Sequence, residues 1–262
     1  MEWKTVRNWL LLLVLAADLI LAGNMGWQLL RLRREERTAV LDAVAAAESR
    51  GVSFDPEMVL AMPRTAGSYR ARRSGTEEGA AAEALIPGAQ AQEPGGGVVL
   101  YTGGGGQISF RRGGALEMTL LGRSASDARD CLALLREAGM PAQGRVVEEH
   151  GTTLLQQEYG GRPVFNCRLN WESTGETLSI RGRWLLAEAA ETGESALSRG
   201  QLVLAACTLL EEQGGSAVTG LEMGYYLLGE DAQSLVLVPA WRLESGSGVW
   251  ILSALSGRVL NY

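Results

Sequence analysis

The sequence predicts an α+β fold that one N-terminal helix holds in a membrane. Three observations support this: a 22-residue apolar run near the N-terminus, helix-like stretches that each precede several short strand-like runs, and turn signals between those runs. The strand-like runs alternate apolar and polar residues, which is typical of antiparallel sheets with one covered face. We therefore expect helices packed on one face of the sheets.

The apolar run, residues 9–30, predicts a transmembrane helix. As a helix it would rise about 33 Å, enough for a hydrocarbon core of roughly 30 Å. Trp9 and Trp27 stand near its two ends, where membrane interfaces favour aromatic rings. The run is followed by four arginines, Arg31, Arg33, Arg34 and Arg37. Residues 1–30 are thus predicted to be a short tail and a membrane span.

A cleaved signal peptide is the alternative interpretation of this run. Lys4 and Arg7 would then form its basic start, and Ala22 would stand at a possible cleavage point. The second tryptophan and the arginine block that follows it favour the uncleaved span.

Polar and small residues share one side of the predicted span. Asp18, Ala22 and Gly26 form one stripe at 100° per residue, and Asn24 and Gln28 lie about 80–120° away on the same side. Small residues beside polar ones let membrane helices pack closely and hydrogen-bond. We expect this stripe to bind a partner helix; the alternative is that Asp18 is tolerated in a lone span by snorkelling.

Two segments separate the span from the strand-rich part of the chain. Residues 31–63 predict a juxtamembrane helix, with Gly51 as a stop signal after residue 50. Residues 64–97 are rich in Gly, Ala, Arg, Glu and Pro and hold few large apolar groups, so they predict a flexible linker or insertion.

The glycine run from Gly103 to Gly106 predicts a hairpin turn. Its flanks, VVLY and QISF, are strand-like, and no Lys-Ser or Lys-Thr follows as a phosphate-binding loop requires.

The remaining chain predicts two tandem units, each a helix followed by four strands. The first unit, residues 98–185, places a helix at 126–138, with Ser126 as N-cap and Gly139 at its end. Its strands are expected at 144–149, 152–159, 162–171 and 176–185. The second unit, residues 186–262, repeats the order about 72 residues later, with a helix at 198–213 and strands at 217–228, 234–243, 248–253 and 257–261.

Composition argues against several classes of function. Lys and Arg number 24 against 30 Asp and Glu, so nucleic acid is not an expected partner. His150 is the only histidine and Lys4 the only lysine, and no Gly-x-Ser-x-Gly occurs. We therefore expect no enzyme, and no catalytic, cofactor-binding or metal-binding residues. His150, followed by Gly151, predicts a surface turn; a pH sensor or metal ligand is the alternative.

The three cysteines, Cys131, Cys167 and Cys207, are odd in number and lack CxxC spacing. This pattern fits neither a disulfide framework nor a zinc site, so we expect buried free thiols.

Several segments together resemble the YycI family. They are the opening Met1-Glu2-Trp3-Lys4 before the span, the pair EYGGRPVFNCRLNW and GETLSIRGRW, and the C-terminal stretch from LEMGYYLLGE to ILSALSGRV. The most specific pattern, which PepSY-like modules also share, is Gly224-Tyr225-Tyr226, then Pro239-Ala240-Trp241-Arg242, then Ala254-x-x-Gly257. The resemblance is densest over residues 154–262, and residues 64–97 depart from it.

The resemblance implies a membrane-anchored regulator in a Gram-positive two-component system that controls cell-wall metabolism. It implies a cytoplasmic N-terminus, one span in the lipid bilayer, and an extracytoplasmic domain that acts with a sister protein, YycH, on a sensor histidine kinase. It brings no catalytic residues. The Lys and Arg count alone would place the domain inside, but domains of over 200 residues translocate largely regardless of charge.

Two questions stay open at the level of sequence. Trp241 and Arg242 could contact a partner, since Trp and Arg are common at interfaces, but Trp241 also shares a strand face with Leu235, Leu237 and Leu243, which is typical of core. The second function hypothesis is a secreted or anchored PepSY-like binding module that inhibits a peptidase or holds a ligand, with no kinase partner.

Overall fold

The fold was analysed in a computed structural model, which describes residues 3–63, 67–149, 151–186, 189–194, 196–229 and 233–260. These residues form a mixed α+β fold with one long N-terminal helix and a large, mainly antiparallel sheet. The expected α+β class is thus confirmed.

Five α-helices and one 3-10 turn, Arg112–Gly114, occur among the described residues. The helices are α1 (Trp3–Ser49), α2 (Pro56–Ala61), α3 (Gly75–Leu85), α4 (Ala128–Glu137) and α5 (Arg199–Glu212). Thirteen strands accompany them: β1 (Tyr69–Arg72), β2 (Gln90–Gly95), β3 (Val98–Gly103), β4 (Gly106–Phe110), β5 (Ala115–Leu121), β6 (Gly144–Glu149), β7 (Thr152–Tyr159), β8 (Arg162–Thr174), β9 (Thr177–Arg183), β10 (Ala190–Glu191), β11 (Val218–Gly229), β12 (Ser234–Ser245) and β13 (Gly248–Ser253).

Helix α1 is continuous from the predicted span into the folded domain. A separate juxtamembrane helix was expected over residues 31–63, and that boundary is wrong. Residues 27–49 contain neither Gly nor Pro, so nothing interrupts the backbone ladder before Gly51, which follows the helix at a φ of +85°. Four small apolar residues in its last turns are buried against α5: Val40, Ala43, Val44 and Ala47.

The sheet has two parts that meet at one point. The first part runs β6-β7-β8-β9-β5-β4-β3-β2, and the second runs β10-β1-β12-β11, with β13 also paired to β12. The parts join where Val164 of β8 lies beside Tyr225 of β11, and this is the one parallel pairing among the described strands.

Each part of the sheet is covered by helices and has its own core. Helices α3 and α4 cover the first part, over large buried side chains that include Trp184 and Phe110. The end of α1 and helix α5 cover the second part, around Trp241.

Residues 64–97, expected to be a linker, are largely folded. β1 pairs with β12 in the sheet, α3 buries Ala81, Ala82 and Leu85, and β2 pairs with β3. The linker prediction rested on the scarcity of large apolar residues. This segment needs few of them, because alanines form the buried face of α3 and backbone hydrogen bonds hold β1 and β2 in the sheet. Residues 64–66 lie outside the described part.

The expected elements of the two units agree with the structure, with two corrections. Asp127, not Ser126, is the N-cap of α4, because its carboxylate accepts from the backbone N–H groups of Arg129 and Asp130. The last expected strand, residues 257–261, is reduced to one bridge between Leu252 and Val259 over its described residues. The hairpin turn predicted at Gly103–Gly106 is confirmed, since these two glycines pair across a two-residue loop.

Candidate functional site

The apolar half of α1 does not contact the folded domain through its described side chains. The large apolar residues among them between Leu13 and Leu30 are 47–72% exposed. By length and composition this is one helix that can cross a membrane. Side chains that are this apolar and this exposed suit lipid better than water.

The predicted polar stripe lies on this exposed half. Asp18, Ala22, Asn24 and Gln28 are all exposed, so no residue of the described domain occupies the place of a partner helix. Gly26 belongs to the same helix, but its packing lies outside the described part.

Trp241 and Arg242, which the sequence suggested as a possible interface, lie on opposite sides of β12. Trp241 is 2% exposed and sits in the core beneath α1 and α5, so it is not a surface contact. Arg242, the next residue, points to the other side of β12, where it pairs with Glu244.

A cleft of about 910 Å³ lies between α3 and the irregular segments beside β7. One wall is the small-residue face of α3, with Ala80 and Ala81, and the opposite wall is the connection from α4 to β6, residues 138–143. The end of β7, residues 157–160, and residues 185, 186 and 189 complete it.

Side-chain hydrogen bonds hold the irregular walls of the cleft in place. The indole Nε1 of Trp184 donates to the carbonyl oxygen of Pro141 at 2.8 Å. The amide of buried Gln157 makes two bonds with the backbone of Leu185, accepting from its N–H and donating to its carbonyl, both at 2.8 Å. The hydroxyl of Tyr159 donates to Ala189 O at 2.8 Å. These contacts fix loop backbone as strand pairing would, so the cleft is preformed.

Three tyrosines form a cluster at one end of the cleft. The rings of Tyr69 and Tyr159, which line it, have centroids 5.1 Å apart, and Tyr225 lies behind both, at 5.7 Å and 6.0 Å. Burial raises the pKa of Tyr225, and the neighbouring Tyr69 raises it further. Tyr225 therefore stays neutral over the physiological range.

The charges in the cleft have one sign. Glu77 and Glu158 are the charged residues among the described lining residues, and neither forms an ion pair within the described part of the chain. Two carboxylates that line a partly apolar cleft favour a cation over an anion there.

A second, smaller cavity of about 280 Å³ lies beside β6 and is already charge-balanced. Arg145 pairs with Glu222 at 2.6 Å, and this hydrogen bond raises the pKa of Arg145. Arg168 pairs with Glu149. With these partners in place, the cavity offers no excess charge to a ligand.

The cysteines are free and buried, as expected. Burial raises the pKa of Cys131 and of Cys167 to about 12, so neither is a thiolate at neutral pH. No group of three or more His, Cys, Asp or Glu side chains suited to a metal occurs in the described part of the chain. His150 lies outside the described residues; Gly151 beside it has a φ of +77°, in the turn from β6 to β7.

Sequence reasoning missed the cleft because its walls come from four separated segments. The Ala-rich helix α3 was assigned to a linker, and Tyr69 belongs to the same segment. A helix signal was present there: Ser74 caps α3, with Glu77 and Glu78 in its first turn.

Comparisons with known proteins give a distant fold neighbour. No protein-family model matches the chain, and no curated protein does. The fold is similar to the crystal structure of an uncharacterized protein from Eubacterium rectale, with a TM-score of 0.39 and 10% sequence identity. The match covers 76% of this chain and 86% of that chain.

Proposed function

We propose that this chain is a membrane-anchored, non-enzymatic regulator of a sensor histidine kinase in a two-component system that controls the cell wall. It acts through transmembrane and extracytoplasmic contacts with the kinase and with a YycH-like sister protein. The observation that carries the proposal is the continuity of α1, from the exposed apolar half to the buried core.

A continuous helix couples the two regions mechanically. Val40 and Ala47 are fully buried against the domain, and Glu36 also forms an ion pair with Arg199 of α5 at 3.4 Å. A helix fixed in this way cannot rotate independently of the sheet. A tether that only held a domain at the surface would not need this rigidity, whereas a regulator that reports on its domain through the membrane does.

The polar stripe supplies the contact inside the membrane in this proposal. Lipid tails are as apolar as leucine, so close packing and buried hydrogen bonds distinguish one helix from another. Asp18, Ala22 and Gly26 offer both, and Asn24 and Gln28 add two further polar side chains to the same helix.

The N-terminus is proposed to be cytoplasmic and residues 38–262 extracytoplasmic. This part carries 18 Lys and Arg against 26 Asp and Glu, so its net charge is negative. The negatively charged surface of the cytoplasmic leaflet would repel such a domain, which favours the extracytoplasmic side. Protease added to intact protoplasts should remove the domain and leave a short membrane fragment. A fully protected domain would overturn this orientation, and a mature N-terminus at Gly23 would overturn the anchor.

Two PepSY-like units are proposed within the domain. Helices α4 and α5 are each followed by antiparallel strands in the same order, which supports this division.

Co-purification tests the proposed partners. The full chain, expressed with the sensor kinase and the YycH-like protein of its own organism, should be recovered with both from detergent. Gly26→Leu should block close helix approach, and Asp18→Leu should remove a hydrogen bond worth about 1 kcal/mol, so each should weaken recovery several-fold. Leu12→Ala, a change on the plain apolar side of the span, should leave it unchanged. Equal recovery with all three variants, or none with the unaltered chain, would contradict the proposal.

The second candidate is a PepSY-like binding module that holds a ligand or inhibits a peptidase without any kinase. The preformed cleft favours it, because a pure signalling scaffold needs no cavity of this size. If the chain without residues 1–30 still held its ligand or inhibited its peptidase as well as the full chain, in a cell extract that contains no kinase, this candidate would be favoured.

A further inference from the structure

The cleft beside α3 is lined by two glutamates, two tyrosines and several small or apolar side chains. We propose that it binds a lysine or arginine side chain presented by a peptide segment. This inference rests on the cleft alone and stands whether or not the partner is a kinase.

The first argument is charge. Glu77, in the first turn of α3, and Glu158, at the end of β7, both line the cleft. The described lining residues include no Lys or Arg, so an anion would meet two unpaired carboxylates there. A cationic side chain would meet the same two groups with favourable sign.

The second argument is the aromatic corner. Tyr69 and Tyr159 meet at 61°, with centroids 5.1 Å apart, and Tyr159 is held in place by its bond to Ala189. The contact between the rings is edge to face, and the two rings give the cleft an aromatic surface on which the methylene stem of Lys or Arg can pack.

The third argument is the apolar remainder. Ala80, Ala81, Met140, Leu185 and Leu186 line the cleft between the charged groups. The methylene stem of Lys or Arg packs on such surface while its charged end reaches carboxylates.

The size and polarity of the walls favour a peptide over a small free amine. A volume of about 910 Å³ is far larger than one side chain requires, and it lies at the upper end of small-molecule sites. The backbone N–H groups of Ala142 and Gln143, in one wall, donate to no acceptor within the described residues. They can donate to the carbonyl groups of a bound segment.

Calorimetric titration of the full chain tests the proposal. The protein is held in nanodiscs of phosphatidylcholine, whose zwitterionic headgroups carry no net charge to attract a peptide. The probe is the capped peptide acetyl-Leu-Lys-Leu-amide, with the Glu and norleucine peptides of the same frame as controls. The Lys peptide should bind at least tenfold more tightly than either control.

Matched variants locate the binding. Glu158→Gln and Glu77→Gln should each weaken it about threefold to tenfold, and together they should abolish the preference for Lys over norleucine. Glu212→Gln removes an exposed carboxylate from α5, far from the cleft wall, and should change nothing.

Three outcomes would overturn the inference: no measurable binding of the Lys peptide at millimolar concentration, equal binding of the Lys and norleucine peptides, or equal loss with Glu212→Gln and Glu158→Gln. The last would show a diffuse response to an acidic surface. Co-purification with the proposed membrane partners is measured separately. A failure of the peptide to bind would therefore overturn this inference without counting against the proposed regulator function.

Discussion

Asn166 on β8 binds Leu227 on β11 through both atoms of its side-chain amide. Its Oδ1 accepts from the Leu227 N–H and its Nδ2 donates to the Leu227 carbonyl oxygen, both at 2.8 Å. The two parts of the sheet share one backbone pairing at this place, Val164 with Tyr225. The Asn166 side chain adds two hydrogen bonds to the backbone of β11 beside that pairing. The amide therefore extends the joint between the two cores.

Asn166→Ala should loosen this joint. Leu227 is 1% exposed, so its N–H and C=O would be left without their main partner, and each unsatisfied group costs about 1–3 kcal/mol. We expect a loss of about 2–4 kcal/mol in the free energy of unfolding, measured on the full chain by urea titration of tryptophan fluorescence. Asn170→Ala, an exposed change on the same strand, should cost under about 0.5 kcal/mol. Equal stability of the two variants would show that the joint does not depend on this amide.

Arg73 and Glu78 form a buried ion pair that attaches α3 to the sheet. Their side chains are 14% and 3% exposed, and the guanidinium also donates to the carbonyl oxygens of Gly97 and Phe110. Glu78→Gln leaves the buried arginine without its counter-charge and should cost about 3 kcal/mol.

The matched control for this pair is Glu117→Gln. Glu117 pairs with Arg111 and Arg181 at an exposed site, so its loss should cost under about 1 kcal/mol. Thermal unfolding followed by near-ultraviolet circular dichroism compares the two. A larger effect at Glu117 would contradict the role given to α3 as a docked element.

Cys167 makes stability depend on pH in the alkaline range. Burial raises its pKa to about 12, against about 8.5 in an unfolded chain. Above pH 8.5 the unfolded state loses the thiol proton while the folded state keeps it, so the stabilisation is complete below that pH and is lost as pH rises toward 12. The slope is at most about 1.4 kcal/mol per pH unit for this thiol.

Cys167→Ala isolates this contribution. The variant loses packing at every pH, so the measured quantity is the slope of unfolding free energy between pH 9 and 11, which should become shallower. An unchanged slope would show that this thiol does not titrate differently in the two states.

Much of the local structure could be predicted from the sequence. The apolar span, the glycine hairpin and the helix and strand bounds of residues 126–253 follow from periodicity and turn residues, which act over a few positions. The length of α1 could not be predicted, because the change from exposed apolar residues to buried ones does not alter the helical backbone.

The cleft and the joint could not be predicted for a different reason. Gln157, Trp184 and Asn166 act on backbone groups 28, 43 and 61 residues away in sequence, and a polar residue in a strand gives no sign of such a partner. The linker interpretation of residues 64–97 failed in the same way, since the partners of Tyr69 and Arg73 lie in distant strands.

The rigid coupling of α1 to the domain is tested most directly by alanine insertions between Leu32 and Arg33. Two alanines rotate the span by about 200° relative to the domain, whereas seven rotate it by about 700°, within 20° of two full turns. Autophosphorylation of the sensor kinase that we propose as the partner is measured in nanodiscs with each full-length variant. We predict that the two-alanine variant loses regulation and that the seven-alanine variant, although longer, keeps it. Equal regulation by both, or a loss that grows with added length, would contradict the account.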